Sequence, residues 1–263
     1  MVELQQIAAA LYLVAGISSL MGIVLAAPRL SRTAPAGLLL GAIVQTVAFA
    51  TMHRGESTPP LTDLPMAVSA MAWMAVLFLL ILMWRLRLPA LTAVIGPIAF
   101  LAVFIASEQV PQVQPAAGVE AGSLPHAHVM LAGAGLALLG IAGVAGVFFL
   151  VEHRRLKAKR PLGRRFRLPS LEALDRVNRV SLAIGFPLLT LGVLTGMAWL
   201  RRVDGSVWGG VGHQTWSAVA WGIYAGLIAA RFFGHQGARP AAASAVAGFV
   251  FLLFAVLGVE LLT

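Results

Sequence analysis

Eight stretches of this chain stay apolar for long enough to cross a lipid bilayer, and most of the charged positions fall between them. The runs cover 5–27, 34–52, 64–84, 88–106, 126–152, 174–200, 213–233 and 239–262, against roughly 20 residues for one helical crossing. They are rich in Leu, Ala and Val and tolerate glycine. Backbone groups in hydrocarbon must be satisfied within their own segment, which makes such runs helices rather than barrel strands. The pattern predicts an all-α polytopic membrane bundle of eight transmembrane helices, a single integral membrane domain over 1–263. Residues 1–106 form its N-terminal four-helix part and 126–263 its C-terminal part. Met1–Gln6 holds Glu3 and no Lys or Arg, so the first run reads as a retained span rather than a signal peptide.

Composition agrees: 59% of the 263 residues are apolar and 11% charged, where soluble domains run near a quarter charged. A net charge of +9 is compatible with a nucleic-acid partner, but its placement points elsewhere. Arg29, Arg32, Arg85, Arg87, the cluster from Arg154 to Arg167, Arg176, Arg179, Arg231 and Arg239 all fall on one side of the predicted bundle. Arg54, Arg201 and Arg202 fall on the other. The positive-inside rule makes the rich side cytoplasmic and puts both termini outside. The 154–167 cluster reads as a topology signal that also meets anionic lipid, with a docking site for a cytoplasmic partner as the alternative. The loop 107–125 on the opposite side has no Lys or Arg. Ser170, before "LEAL", is a candidate N-cap for helix six.

The chain has no cysteine, which excludes disulfides, thiolate metal sites and thiol relays. No nucleophile or acid–base constellation stands out, so the chain is expected not to be an enzyme. No carboxylate lies deep in a span, which disfavours an ion-coupled transporter. Four of the six histidines, His53, His126, His128 and His213, sit at helix mouths on the outer side. Imidazole is the commonest metal ligand, and two neutral rings can clamp a haem iron. His126 and His128 are about 200° apart on a helix and cannot both face one partner; His128 is favoured because it lies further inside.

On span seven, His213, Trp216, Ser217, Trp221 and Tyr224 fall within an arc of ~140°. An aromatic belt accounts for Trp199, Trp208 and Trp216. Trp221 and Tyr224 lie deeper, and a flat aromatic surface beside a histidine suits a planar macrocycle. Arg54, Arg201 and Arg202 could partner its carboxylates.

The stretches "VWGG" and "GHQTWSAVAWGIYAG", with the histidine-led "HAHVMLAGAGLALLGIAG" and the basic loop after it, resemble the cytochrome c assembly protein family. The likeness is to its tryptophan-rich, haem-handling members over about residues 125–262, and Trp208, Trp216, Ser217, Trp221 and Tyr224 recur in register. His213 and Gln214 stand where that family has a Lys-Glu pair. The resemblance implies that the C-terminal part handles haem, non-covalent and b-type, at an outward-facing site between two histidines. His128 matches the family's span-leading histidine, His53 resembles a ligand histidine by position, and His213 is a ligand by helical geometry alone. The implied setting is a bacterial inner membrane, with haem, lipid and other cytochrome c assembly proteins or a larger membrane complex as partners, and no nucleic acid. The alternative is a membrane regulator of tetrapyrrole biosynthesis or an accessory subunit, docked through 154–167.

Overall fold

The computed structural model describes residues 2–52, 64–86, 88–109, 123–159, 168–205 and 212–254. Eight helices follow in order: α1 (Val2–Val24), α2 (Pro28–Met52), α3 (Leu64–Arg85), α4 (Pro89–Glu108), α5 (Ser123–Lys157), α6 (Leu171–Asp204), α7 (Gly212–Phe232) and α8 (Ala238–Leu253). Among the described residues there is no strand. The chain is a multi-pass helical membrane protein. Helices α1 to α6 are long and apolar enough to cross a membrane, and α8 is a shorter apolar helix. Helix α7 is not among the six, because its 21 residues include His213, Gln214, Arg231 and several polar aromatic positions.

The chain divides into two compact units, Met1–Val129 with Pro161–Pro169, and Met130–Arg160 with Ser170–Thr263. The division falls inside α5. In the first unit α1 packs against α2 and α4, and α3 against α2 and α4. Glycine lets α1 and α4 meet at backbone distance. A Cβ on Gly96 would lie 2.9 Å from Gly16 Cα, and one on Gly16 would run into the Pro97 ring. Close packing of this kind drives helix association where lipid removes the hydrophobic incentive.

The second unit is built from α5 beyond Val129 with α6, α7 and α8. Its small-residue stripe is spent on two neighbours. Toward α6, a Cβ on Gly135 would sit 2.6 Å from Leu189 N, and one on Gly192 would sit 2.7 Å from Ala132 Cα. Toward α8, Gly143 faces Phe249 and Gly146 faces the Ala242 carbonyl.

Helices α5 and α6 contain 35 and 34 residues, about 50 Å each against a hydrocarbon core of about 30 Å. The surplus turns carry the charges: Arg154, Arg155 and Lys157 close α5, and Glu172 lies in the first turn of α6. Ser170 caps α6 as expected, its Oγ accepting from Ala173 N at 3.2 Å. Gly205 ends the helix in the left-handed region at φ 68°, where a Cβ would be strained.

Candidate functional site

The histidine-led start of α5 belongs to the first unit. Val129 packs there against buried Met52, at the end of α2, and Met66, near the start of α3. The same end of the bundle carries Gln5, whose Nε2 donates to Met66 Sδ at 3.8 Å, and Gln6, which donates to Glu108 at 2.8 Å. His126 and His128 are both helical and half-buried, and each has an interaction partner. His126 lies about 60° around α5 from Val129, and His128 about 100°. The face of α5 turned to the two methionines is therefore nearer His126.

The aromatic face of α7 belongs to the second unit, and its members have different neighbours. Trp221 turns to α6, where its Nε1 donates to Thr190 Oγ1 at 3.0 Å and its ring stacks on Phe186 at 5.8 Å. Tyr224 is 1% exposed and sits in a core with Leu139, Ala142, Leu182, Ala220 and Ala245. Its ring packs over Gly248 of α8, where an added Cβ would meet Tyr224 Cζ at 3.3 Å. Trp216 is 39% exposed, with its ring edge-on to Phe254 at 5.9 Å. Ser217 is half-buried. Trp221 and Tyr224 thus pack within the bundle, and Trp216 is the ring open to an incoming molecule.

Arg201 and Arg202 lie exposed in the last turns of α6. With Met197 and Ala198 they line a groove of about 510 Å³. Two guanidinium groups on one rim suit a ligand with carboxylates, since Arg binds them through paired N–H donors. His53, Arg54 and Trp208 lie outside the described residues. His213 falls in the first turn of α7, and its side chain lies outside the described set. Among the described residues no group of three or more His, Asp or Glu side chains gathers as a metal site.

Two polar constellations escaped the sequence pattern. In the first unit Tyr12 OH donates to Gln45 Oε1 at 2.7 Å, and Gln45 Nε2 donates to the Ser69 carbonyl and Oγ at 3.1 and 3.0 Å. All three residues are fully buried. In the second unit Arg231 of α7 reaches Asp175 of α6 and the Gln236 carbonyl. Arg179 also pairs with Asp175, at 3.3 Å. Lone polar residues in otherwise apolar spans were the available signal, because ionisable or amide groups at membrane depth are rare unless paired.

The profile of the family described as Cytochrome C assembly protein matches residues 4–263. The cytochrome c biogenesis protein CcsA of Guillardia theta is 25% identical over 246 residues, covering 85% of this chain and 81% of that protein. The CcsA of Gloeobacter violaceus is 36% identical over 133 residues, half of this chain and 38% of the relative. That of Trichormus variabilis is 39% identical over 97 residues, covering 36% of this chain and 27% of its own length. The more similar stretches therefore span well under half of those two relatives.

Proposed function

This chain belongs to the cytochrome c assembly protein family, and we propose that it handles haem for cytochrome c biogenesis at the outer face of a bacterial inner membrane. The observation that carries the reading is the family match over nearly the whole chain. The outer face is the one opposite the basic 154–167 segment, by the positive-inside rule.

Haem would bring an iron that takes axial imidazole and two carboxylates that take cationic partners. Each unit, taken by itself, carries side chains of a kind that such a group takes. In the first unit His126 and His128 supply imidazoles at a helix mouth, half-buried rather than sunk in the core. In the second unit Arg201 and Arg202 line a shallow groove and could take carboxylates through paired N–H donors. Trp216 offers an exposed ring at the mouth of α7. His213 is the remaining imidazole on that helix. The chain holds and presents the group but makes no covalent bond to it. With no cysteine in the sequence, the thiols that would accept haem belong to a partner, another assembly protein or the cytochrome itself.

The test is an absorption spectrum of the purified protein, as isolated and after titration with haem. A Soret band is expected, weakened by His126→Ala, His128→Ala or His213→Ala according to which imidazole ligates. Arg201→Ala with Arg202→Ala should raise the apparent Kd while leaving the band position unchanged. A wild-type protein that shows no Soret band in either condition sinks the proposal.

A further inference from the structure

The interior of the second unit holds buried oxygens that no protein group satisfies. Asn178 is 2% exposed and Ser181 fully buried, on α6. Asn178 Nδ2 donates to the Ala142 carbonyl of α5 at 3.0 Å, but its Oδ1 has no partner, and neither has Ser181 Oγ or Tyr224 OH. Asn178 and Ser181 are one turn apart on α6, and Tyr224 lies in the core that Ala142 joins. Asn178 touches Ala142, and Ala142 shares a core with Tyr224 and Leu182. Across α8, a Cβ on Gly248 would meet Tyr224 OH at 3.5 Å, and the neighbouring Phe249 packs on Gly143, next to Ala142. Asn178 and Ser181 are about 60° apart on α6, so they share a face. Asn178 lies one turn beyond Asp175, between the exposed Arg176 and Arg179 of α6.

Polar atoms continue from this group toward the basic end of the unit. Asp175, one turn before Asn178, is held by Arg231, which also takes the Gln236 carbonyl. Gln236 Oε1 and Glu152 Oε2 are buried without a partner at that end, and Glu152 is 7% exposed. Apolar side chains would fill such a column in a plain bundle. Oxygens that accept and find no donor in the protein are the usual lining of a bound-water site, because a buried water satisfies two to four polar groups at once.

We propose that the second unit binds ordered water among Asn178, Ser181 and Tyr224, reached from the Glu152–Gln236 end. The water donates to Asn178 Oδ1 and exchanges hydrogen bonds with Ser181 Oγ and Tyr224 OH. The site is separate from the haem-handling residues and stands whether or not haem binds.

The chain contains two tyrosines, which supply an internal control. Tyr12 and Tyr224 are equally buried, but Tyr12 OH is paired to Gln45. Radiolytic hydroxyl labelling of the wild-type protein in nanodiscs, read by mass spectrometry, oxidises buried side chains that touch bound water. Tyr224 should label at least about tenfold faster than Tyr12, as a water-contacting ring does, while its core neighbours Leu139 and Leu182 stay unmodified. Ser181→Val should bring Tyr224 down to the Tyr12 level. Equal labelling of the two tyrosines in the wild type overturns the proposal, and so does labelling of Leu139 and Leu182 alongside Tyr224, which would report opening of the helices. Tyr224 labelling that Ser181→Val leaves unchanged overturns the placement of the water. Should Ser181→Val fail to fold, the wild-type comparison alone decides.

Discussion

Tyr12 in the first unit and Tyr224 in the second are each a phenol sealed inside a helix bundle, and their hydroxyls fare differently. In the first unit the hydroxyl belongs to a closed set: Tyr12, Gln45 and Ser69 join α1, α2 and α3. Among the described residues the buried side-chain oxygens without a partner, on Glu152, Asn178, Ser181, Tyr224 and Gln236, all lie in the second unit. That unit instead concentrates its charges, with Asp175 and Arg231 tying α6 to α7. The contrast separates two ways of holding polar groups in a membrane protein. A neutral network satisfied by side chains locks three helices in register. A unit with spare acceptors leaves about 1–3 kcal/mol of unmet hydrogen bonding per group unless something else supplies the donor. The first is suited to a scaffold, the second to a part that takes up small polar molecules.

The largest expected effect breaks the charged tie. Arg231→Met leaves Asp175 partly buried beside Arg179 alone. Removing one partner of a buried pair costs about 3–5 kcal/mol, and the retained Arg179 puts this case near about 3 kcal/mol. Unfolding in mixed micelles followed by circular dichroism measures the loss. The double variant Arg231→Met with Asp175→Leu should recover most of it, because the stranded charge is gone. A double variant as unstable as the single one would mean that packing, not the ion pair, holds α7 to α6.

The next effect distinguishes the glycines that hold helices together from those that do not. Gly192→Ala drives a Cβ to 2.7 Å from Ala132 Cα and N, backbone that cannot step aside, and overpacking of this kind costs about 1–3 kcal/mol. Gly222 of α7 has nothing within 4 Å of an added Cβ, so Gly222→Ala should stabilise by about 0.4–1 kcal/mol through lost chain entropy. Paired thermal melts of the two variants check both signs. A loss of stability in Gly222→Ala would place a neighbour against that face.

Much of the fold was legible because apolar length alone dictates helices in lipid, and the Ser170 cap was legible because "SLEA" carries a local signal. The surplus turns of α5 and α6 were less so, since charged helical turns outside the hydrocarbon read like a loop. Helical phase groups Trp221 and Tyr224 in one arc of ~140°, which is wide enough to touch two neighbouring helices. Trp221 accordingly meets α6 and Tyr224 meets α8. Likewise His126 and His128 are separated by phase, but only the position of Met52 and Met66 tells which of the two faces them. The Tyr12–Gln45–Ser69 set left no motif, because its members are 33 and 24 residues apart and meet only once three spans are in register.

The smallest effect is the most direct comparison of the units. Tyr12→Phe removes a hydroxyl and strands Gln45 Oε1 in a fully buried position, a loss near the ~0.6–1.7 kcal/mol found for hydrogen bonds between membrane helices. Tyr224→Phe removes a hydroxyl that no protein group accepts from or donates to while keeping the ring over Gly248. Its cost should stay below about 0.5 kcal/mol, because water left at the site keeps Asn178 and Ser181 as partners. Unfolding of both variants under identical micelle conditions gives the difference without reference to any absolute stability. Equal losses would show that Tyr224 OH is held as firmly as Tyr12 OH. A larger loss for Tyr224→Phe would invert the assignment, making the second unit the one whose register depends on its phenol.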